Sequence, residues 1–242
     1  MGEPQPPLLL RIWVLEPKQL NWWIATLFMV GAALFALGCV LYLASSKDEL
    51  ILELIFFVGS IFFTSAAYCQ LHQSITLIGI VTTWKQMLHQ EFEVQPHHIG
   101  FLSAFSQFVG TLMFNVNTFN AFFDLGWVVH ELLIWTPNIM GSILFQLSAS
   151  LAVYEMCNRW WCWPSFAHNR GIHWWITFIN SMGCVAFLIS ALLSFAVFEP
   201  ASNLLITWAT MFTLLGACCF FMGAFLMWPE MSMRNGAERN GV

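Results

Sequence analysis

Six long apolar segments constrain this chain of 242 residues more than any other feature. A helix needs about 20 apolar residues to cross the ~30 Å hydrocarbon layer of a bilayer. The runs are too long, and alternate too little, to be the strands of a membrane barrel. We therefore predict an all-α polytopic membrane protein with six transmembrane helices. The predicted spans are residues 22–44, 52–74, 99–123, 138–157, 174–198 and 203–228.

Composition supports a membrane protein and excludes several other classes. The chain is 59% hydrophobic and only 9% charged, whereas soluble domains carry about 25% charged residues. The net charge is −5, and the sequence contains no stripe of basic residues. We therefore predict the lipid bilayer as a partner and do not expect nucleic acid. No Lys, Arg or carboxylate lies in the middle of a span, which argues against proton pumps and ion-coupled transporters. No catalytic motif is present, so we predict no enzyme activity and no catalytic residues.

The distribution of basic residues predicts the orientation in the membrane. With the N-terminus inside, seven of the eight Lys and Arg residues lie on the inner side, and only Lys47 lies outside. Short loops rich in Lys and Arg stay in the cytoplasm. We therefore predict a multi-pass protein of the cell membrane with both termini cytoplasmic.

Each span carries one copy of a short motif: glycine, a small residue, two further residues, then phenylalanine. In lipid, helices associate through small residues that let backbones approach. Residues seven apart lie about 20° apart around a helix, so a second small residue extends the same seam. The predicted packing seam contains Gly31, Gly38, Gly59, Gly110, Gly141, Gly183, Gly216 and Gly223. Whether six such seams also surround a shared pathway stays open.

The connections group the spans into three tandem two-helix repeats. The first and third pairs are joined by short links, and longer inner connections separate the pairs. The second helix of each pair ends with Gln73, Glu155 or Glu230, fourteen residues after its glycine. The predicted division is an N-terminal cytoplasmic or interfacial segment (1–20), hairpins at 21–80, 99–158 and 173–230, cytoplasmic loops at 81–98 and 159–172, and a tail at 231–242.

The middle pair contains unusual polar residues within its apolar spans. The candidate polar site consists of Gln107, Asn115, Asn117, Asn120 and Gln146. An unpaired amide in hydrocarbon is costly, so these side chains need partners. One interpretation is hydrogen bonding between helices, including a bond from Asn115 to Gln146. The other is a polar binding site or water-filled path in the middle repeat.

Histidine and cysteine positions do not predict a metal or a cofactor. A structural metal site needs three or four convergent ligands. His89, Glu91, Glu93, His97 and His98 share one inner loop, but their spacing fits no ligand pattern. We expect His72 to be a histidine of the membrane interface and not an axial haem ligand. Cys157 and Cys162 flank a Trp-rich loop without a Cys-x-x-Cys motif, and we expect both thiols to be reduced.

The glycine-containing spans resemble those of the YrhK-like membrane proteins. The residues that carry the resemblance are "WWIATLFMVGAALFALG", "FFVGSIFFTSAAYCQ", "FVGTLMFNVNTF" and "GSILFQLSASLAVYE". It covers residues 21–231 as three copies of a two-helix unit. The resemblance implies an integral membrane module and supplies no catalytic residues.

Two functions follow from these features. The first is a non-catalytic scaffold or accessory subunit that contacts other membrane proteins through its helices. The alternative is a small-solute channel or facilitator lined by Ser106, Gln107, Asn117 and Asn120. Solute flux through reconstituted protein distinguishes the two.

Overall fold

The computed structural model describes residues 19–44, 48–77, 96–123, 126–158, 171–195 and 203–239. Those residues form six long helices and contain no strand. Each helix is long and apolar enough to cross a membrane, which confirms the predicted all-α fold with six spans. The helices are α1 (Leu20–Leu43), α2 (Glu49–Leu77), α3 (Pro96–Asn120), α4 (Thr136–Cys157), α5 (Ile172–Leu193) and α6 (Asn203–Arg239).

The helices around α4 and α6 extend furthest beyond the apolar runs that predicted them. Before α4, a short helix (Trp127–His130) and a π-helical turn (Glu131–Trp135) run directly into it. At the other end of the chain, α6 continues through Pro229 to Arg239. Hydropathy locates the part of a helix that contacts lipid, whereas backbone hydrogen bonding decides where the helix ends. The sequence therefore located these spans but not their full helical length.

Several predicted features lie outside the described residues. They include residues 1–18, the loop residues 81–95, residues 159–170 and residues 240–242. His89, Glu91 and Glu93 belong to this part of the chain, as do Lys47 and most of the inner basic residues.

The six helices form a closed ring in chain order. Each helix packs against the next, and α6 returns to pack against α1. The most extensive contacts join α1 to α2, α3 to α4 and α5 to α6. Successive helices run in opposite directions, so α1, α3 and α5 begin where α2, α4 and α6 end. We call that side, on which both chain termini lie, the termini face, and the other side the opposite face.

The glycines of the predicted seam lie where paired helices touch. All eight are buried. A Cβ built on Gly31 would lie 3.1 Å from the carbonyl oxygen of Gly59, and one on Gly183 would lie 3.2 Å from that of Gly216. Contacts this close between backbones leave no room for a side chain. Similar contacts in the three helix pairs do not by themselves establish a tandem repeat, which stays a prediction.

Five cysteines are free thiols in the helices, and one is not. Cys39, Cys69, Cys184, Cys218 and Cys219 are free. Cys157, the last residue of α4, is disulfide-bonded. The expectation of a reduced thiol is therefore wrong at Cys157, and Cys162 lies outside the described residues.

Candidate functional site

The six phenylalanines of the glycine motif meet inside the ring of helices. Five of them are buried, and Phe114 is partly buried. Their rings form a closed cycle of contacts with centroid distances of 5.1 to 6.2 Å, within the range of favourable aromatic pairs. The cycle runs Phe35, Phe63, Phe220, Phe145, Phe114, Phe187 and back to Phe35. We call this set the phenylalanine barrier.

The barrier has two layers because the helices alternate in direction. Each phenylalanine follows its glycine by four residues, about one helical turn. In α1, α3 and α5 that turn leads towards the opposite face, and in α2, α4 and α6 it leads towards the termini face. One layer is therefore Phe35, Phe114 and Phe187, and the other is Phe63, Phe145 and Phe220. Three ring contacts join the layers: Phe35 with Phe63, Phe114 with Phe145, and Phe187 with Phe220.

A large cavity lies between the barrier and the termini face. Its volume is about 510 Å³, and all six helices contribute to its walls. Phe145 and Phe220 form its floor together with Phe28. Small-molecule sites commonly have volumes of about 300 to 1,000 Å³, so this cavity is large enough for a solute of a few heavy atoms.

Polar side chains line the termini-face cavity close to its floor. Ser103 donates a hydrogen bond to the carbonyl oxygen of Ser148 at 2.9 Å, and Ser148 donates to Oε1 of Gln107 at 3.4 Å. Asn180 packs directly over Gly223, where a Cβ would overlap its amide. The Oδ1 atom of Asn180 is buried without a hydrogen-bond partner among the described residues. Polar side chains from two different helix pairs therefore line the cavity.

Three matching contacts surround the mouth of this cavity. In each contact, the residue ten positions before the motif glycine of the first helix of a pair meets the residue fourteen positions after the motif glycine of the second helix. Nε2 of Gln73 donates to Oδ1 of Asn21 at 2.6 Å, and Nδ1 of His173 lies 3.0 Å from Oε1 of Glu230. In the middle pair the first position is Gly100, and the carboxylate of Glu155 lies against it. The mouth therefore carries two carboxylates.

A smaller cavity lies between the barrier and the opposite face. It has a volume of about 210 Å³ and is lined by Phe35, Phe114 and Phe187 of the barrier. Its polar lining includes Asn117, Asn138 and the pair Ser190 and Thr213, whose hydroxyl oxygens are 2.7 Å apart. Polar cavities thus lie on both sides of the apolar barrier.

The predicted polar residues do not form a single site. Gln107 lines the termini-face cavity, whereas Asn117 lines the opposite cavity. The proposed bond from Asn115 to Gln146 is absent: Nδ2 of Asn115 donates to Oγ1 of Thr64 in α2 at 2.8 Å. Oε1 of Gln146 is buried with no partner among the described residues. Helix α3 packs against both α2 and α4, and the sequence alone favoured the wrong neighbour for Asn115.

Asn117 and Asn120 stabilise the irregular backbone that precedes α4. Pro137 has no backbone N–H, so one carbonyl group of the turn before it has no helical donor. Asn117 donates to the carbonyl oxygen of Ile134 at 2.7 Å, and Asn120 makes a longer contact of 3.4 Å with that of Leu133. In lipid, neighbouring side chains commonly satisfy backbone groups that a proline leaves free. These two amides thus have a structural role across the α3–α4 pair.

The candidate polar site predicted from the sequence contains no residue of the third helix pair, although Asn180 of that pair lines the termini-face cavity. Asn180 lies three residues before Gly183, the same offset at which Gln107 precedes Gly110. That match was visible in the sequence.

A metal centre is not assembled in the part of the chain that the structure describes. There, no three His, Cys, Asp or Glu side chains come together as a metal site requires. His72 is exposed near the end of α2, and His173 contacts Glu230.

Comparisons with protein-family models, with curated proteins and with solved structures find no match to this chain. The fold and the cavities therefore carry the functional argument, and the resemblance to YrhK-like proteins stays a prediction.

Proposed function

We propose that this integral membrane protein is a facilitator for small polar solutes, here in a closed conformation. The observation that supports the proposal is the arrangement of two polar cavities on either side of an apolar barrier, inside one closed ring of helices. Hydrophobic constrictions close many channels by excluding water. Polar cavities in a purely structural helix bundle would only add unfavourable burial of polar groups.

The proposed pathway uses all three helix pairs, and not the middle pair alone. Gln107 and Asn117, both candidates for the pathway from sequence, lie in cavities on opposite sides of the barrier. Asn180 and Ser190 add polar groups from the third pair. A solute would therefore pass Gln107 and Asn180 in one cavity and Asn117 and Ser190 in the other.

A scaffold or accessory subunit is the second candidate function. It needs small-residue surfaces that other membrane proteins can contact. All eight seam glycines are buried within this chain, however, and contact its own helices. The seam therefore supports the facilitator proposal more strongly than the scaffold proposal.

We further propose that the termini face is cytoplasmic, because the basic residues of the sequence are concentrated on that side. The disulfide at Cys157 is an observation against this orientation, since stable disulfides are rare in a reducing cytosol. Fusion of green fluorescent protein or of alkaline phosphatase to the C-terminus tests whether the termini face lies in the cytoplasm or outside the cell. Fluorescence without phosphatase activity is expected, and the reverse result would invert the orientation.

The two layers of the barrier provide a direct test of the facilitator. Phe187→Ala opens the layer facing the opposite face, Phe220→Ala opens the other, and the double variant opens both. In proteoliposomes, glycerol uptake is measured by stopped-flow light scattering. Because the layers act in series, we expect each single variant to change the uptake rate little and the double variant to increase it at least about tenfold.

The matched control is the double variant Phe105→Ala and Phe119→Ala, which removes two exposed rings and should leave uptake unchanged. Phe187→Val combined with Phe220→Val makes a smaller opening if the alanine pair is poorly folded, as judged by gel filtration. Glycerol uptake equal to that of protein-free liposomes in both double variants would reject the facilitator.

A further inference from the structure

We propose that the smaller cavity, towards the opposite face, is a binding site for small organic cations, and that Glu53 gives this site its preference for positive charge. Binding does not depend on transport, whereas passage of the bound cation through the protein rests on the proposed function. The inference follows from the carboxylate in the cavity wall, from the hydrogen-bond acceptors in the other walls, and from the charges around the entrance.

Glu53 is the only charged side chain among the described residues that line this cavity. It makes no ion pair or hydrogen bond with another described residue. Its helix, α2, packs against α1 and α3, and neither of these helices contains Lys or Arg. Four phenylalanine rings complete much of the lining, and surroundings of low dielectric strengthen the attraction between a carboxylate and a cation.

The hydroxyl groups of the other walls are available mainly as acceptors. Thr118, Thr210 and Thr213 line the cavity, and each donates to a backbone carbonyl oxygen of its own helix, at 2.9 to 3.1 Å. A hydroxyl group has one hydrogen and two lone pairs, so these bonds use the hydrogen and leave acceptor capacity on the oxygen. The amide of Asn138 makes no hydrogen bond with the described residues and can donate or accept. The walls therefore suit a solute that carries several N–H donors.

The segments that join helices on the opposite face are acidic. Apart from Glu53, their sequence contains one lysine, Lys47, one histidine, His130, and five carboxylates. Even with Lys47 and His130 both positive, the net charge on this side is negative. A cleft lined by one sign of charge and surrounded by low-dielectric walls concentrates counter-ions. The five carboxylates are Asp48, Glu49, Asp124, Glu131 and Glu199.

Three planar solutes of almost identical shape test the preference for charge. Acetamidinium is cationic at neutral pH, acetamide is neutral and acetate is anionic, and each carries one methyl group that saturation-transfer NMR can observe. Titrations of the full chain in detergent, at constant ionic strength, give the three affinities. Because charge-assisted hydrogen bonds are stronger than neutral ones, we expect acetamidinium to bind at least about tenfold more tightly than acetamide, and acetate not to bind. Equal affinities, tighter binding of acetate, or no binding of acetamidinium would overturn the inference.

A carboxamide variant locates the site. Glu53→Gln removes the charge with little change of shape and should weaken acetamidinium binding about tenfold, to the level of acetamide. Glu49→Gln is the matched control, because Glu49 lies one turn earlier on α2, is exposed and does not line the cavity. It should bind acetamidinium as the unmodified protein does. Unchanged binding in Glu53→Gln, or an equal loss in both variants, would overturn the inference.

Flux measurements separate this inference from the proposed function. Preferential binding of acetamidinium without uptake of any solute by the barrier variants would reject the facilitator but retain the cation site. Conversely, uptake by those variants that is faster for acetate than for acetamidinium would retain the facilitator and overturn the selectivity proposed here.

Discussion

Gly110 and Gly141 face each other across the α3–α4 pair with almost no space between their backbones. A Cβ built on Gly110 would lie 3.1 Å from the carbonyl oxygen of Gly141, and a Cβ on Gly141 would lie 3.0 Å from that of Gly110. The ring of Phe145 closes the remaining side of Gly110, at 2.7 Å from the same Cβ position. Neither neighbour can move easily, since one is helix backbone and the other is a buried ring of the barrier.

Replacement of Gly110 by alanine should therefore destabilise the protein. Overpacking of a filled core typically costs 1–3 kcal/mol, which here exceeds the gain of up to about 1 kcal/mol from replacing glycine in a helix. We expect Gly110→Ala to lower the midpoint of thermal unfolding in detergent. Gly171→Ala, where nothing lies within 4 Å of the new Cβ, is the control and should lower it less, since it changes only the N-cap of α5. A midpoint for Gly110→Ala at or above that of the control would contradict the close contact.

Asn117 should contribute more to stability than Asn120, although both are amides near the same turn. Asn117 makes a bond of 2.7 Å to Ile134 in the neighbouring helix segment. Asn120 makes its short bond to Val116 in its own helix and only a 3.4 Å contact across the pair. We expect Asn117→Leu to cost about 1–2 kcal/mol and Asn120→Leu to cost less. Unfolding by denaturant in detergent micelles measures both values, and the opposite order would refute this role for Asn117.

The partner of Asn115 can be identified by two double-mutant cycles. The bond of 2.8 Å to Thr64 predicts a coupling energy of about 0.6 kcal/mol between Asn115→Leu and Thr64→Val. Between Asn115→Leu and Gln146→Leu we expect none, because no bond joins these side chains. Both cycles use the same unfolding measurement. Coupling in the second cycle and not in the first would restore the pairing that the sequence suggested.

Gly223 and Asn180 should show strong coupling because the amide of Asn180 occupies the space that a Cβ on residue 223 would need. Gly223→Ala alone should destabilise the protein and displace Asn180. With Asn180→Ala already present, the same change should cost little, so the cycle should give a coupling energy of about 0.5–3 kcal/mol. Additive effects on stability would mean that Asn180 does not rest on Gly223.

Much of this fold follows from the sequence because lipid imposes simple rules. Long apolar runs predicted the six helices, and small residues in register marked Gly31, Gly110 and Gly183 as contact positions. Periodicity shows which residues share a face of a helix, but not which neighbour that face will meet. Asn115 could equally have faced α2 or α4, and only the order of helices in the ring decides between them.

The irregular turn before α4 was not predictable for a different reason. Pro137 lies just inside the helix, where proline is often tolerated, so the sequence indicated an ordinary helix start there. The π-helical turn depends on carbonyl groups that accept hydrogen bonds from Asn117 and Asn120 in another helix. A local pattern cannot reveal an arrangement that requires donors many residues away in the chain.

The contact of each barrier ring with a glycine has a consequence for how the protein can vary. Phe63 rests on Gly31, Phe145 on Gly110 and Phe220 on Gly183, so the positions of the barrier rings are coupled to the spacing of the helices around them. A larger residue at any of these glycines would both spread two helices and push a ring inward. In the proposed facilitator, substitutions at these glycines therefore change permeability and helix packing together.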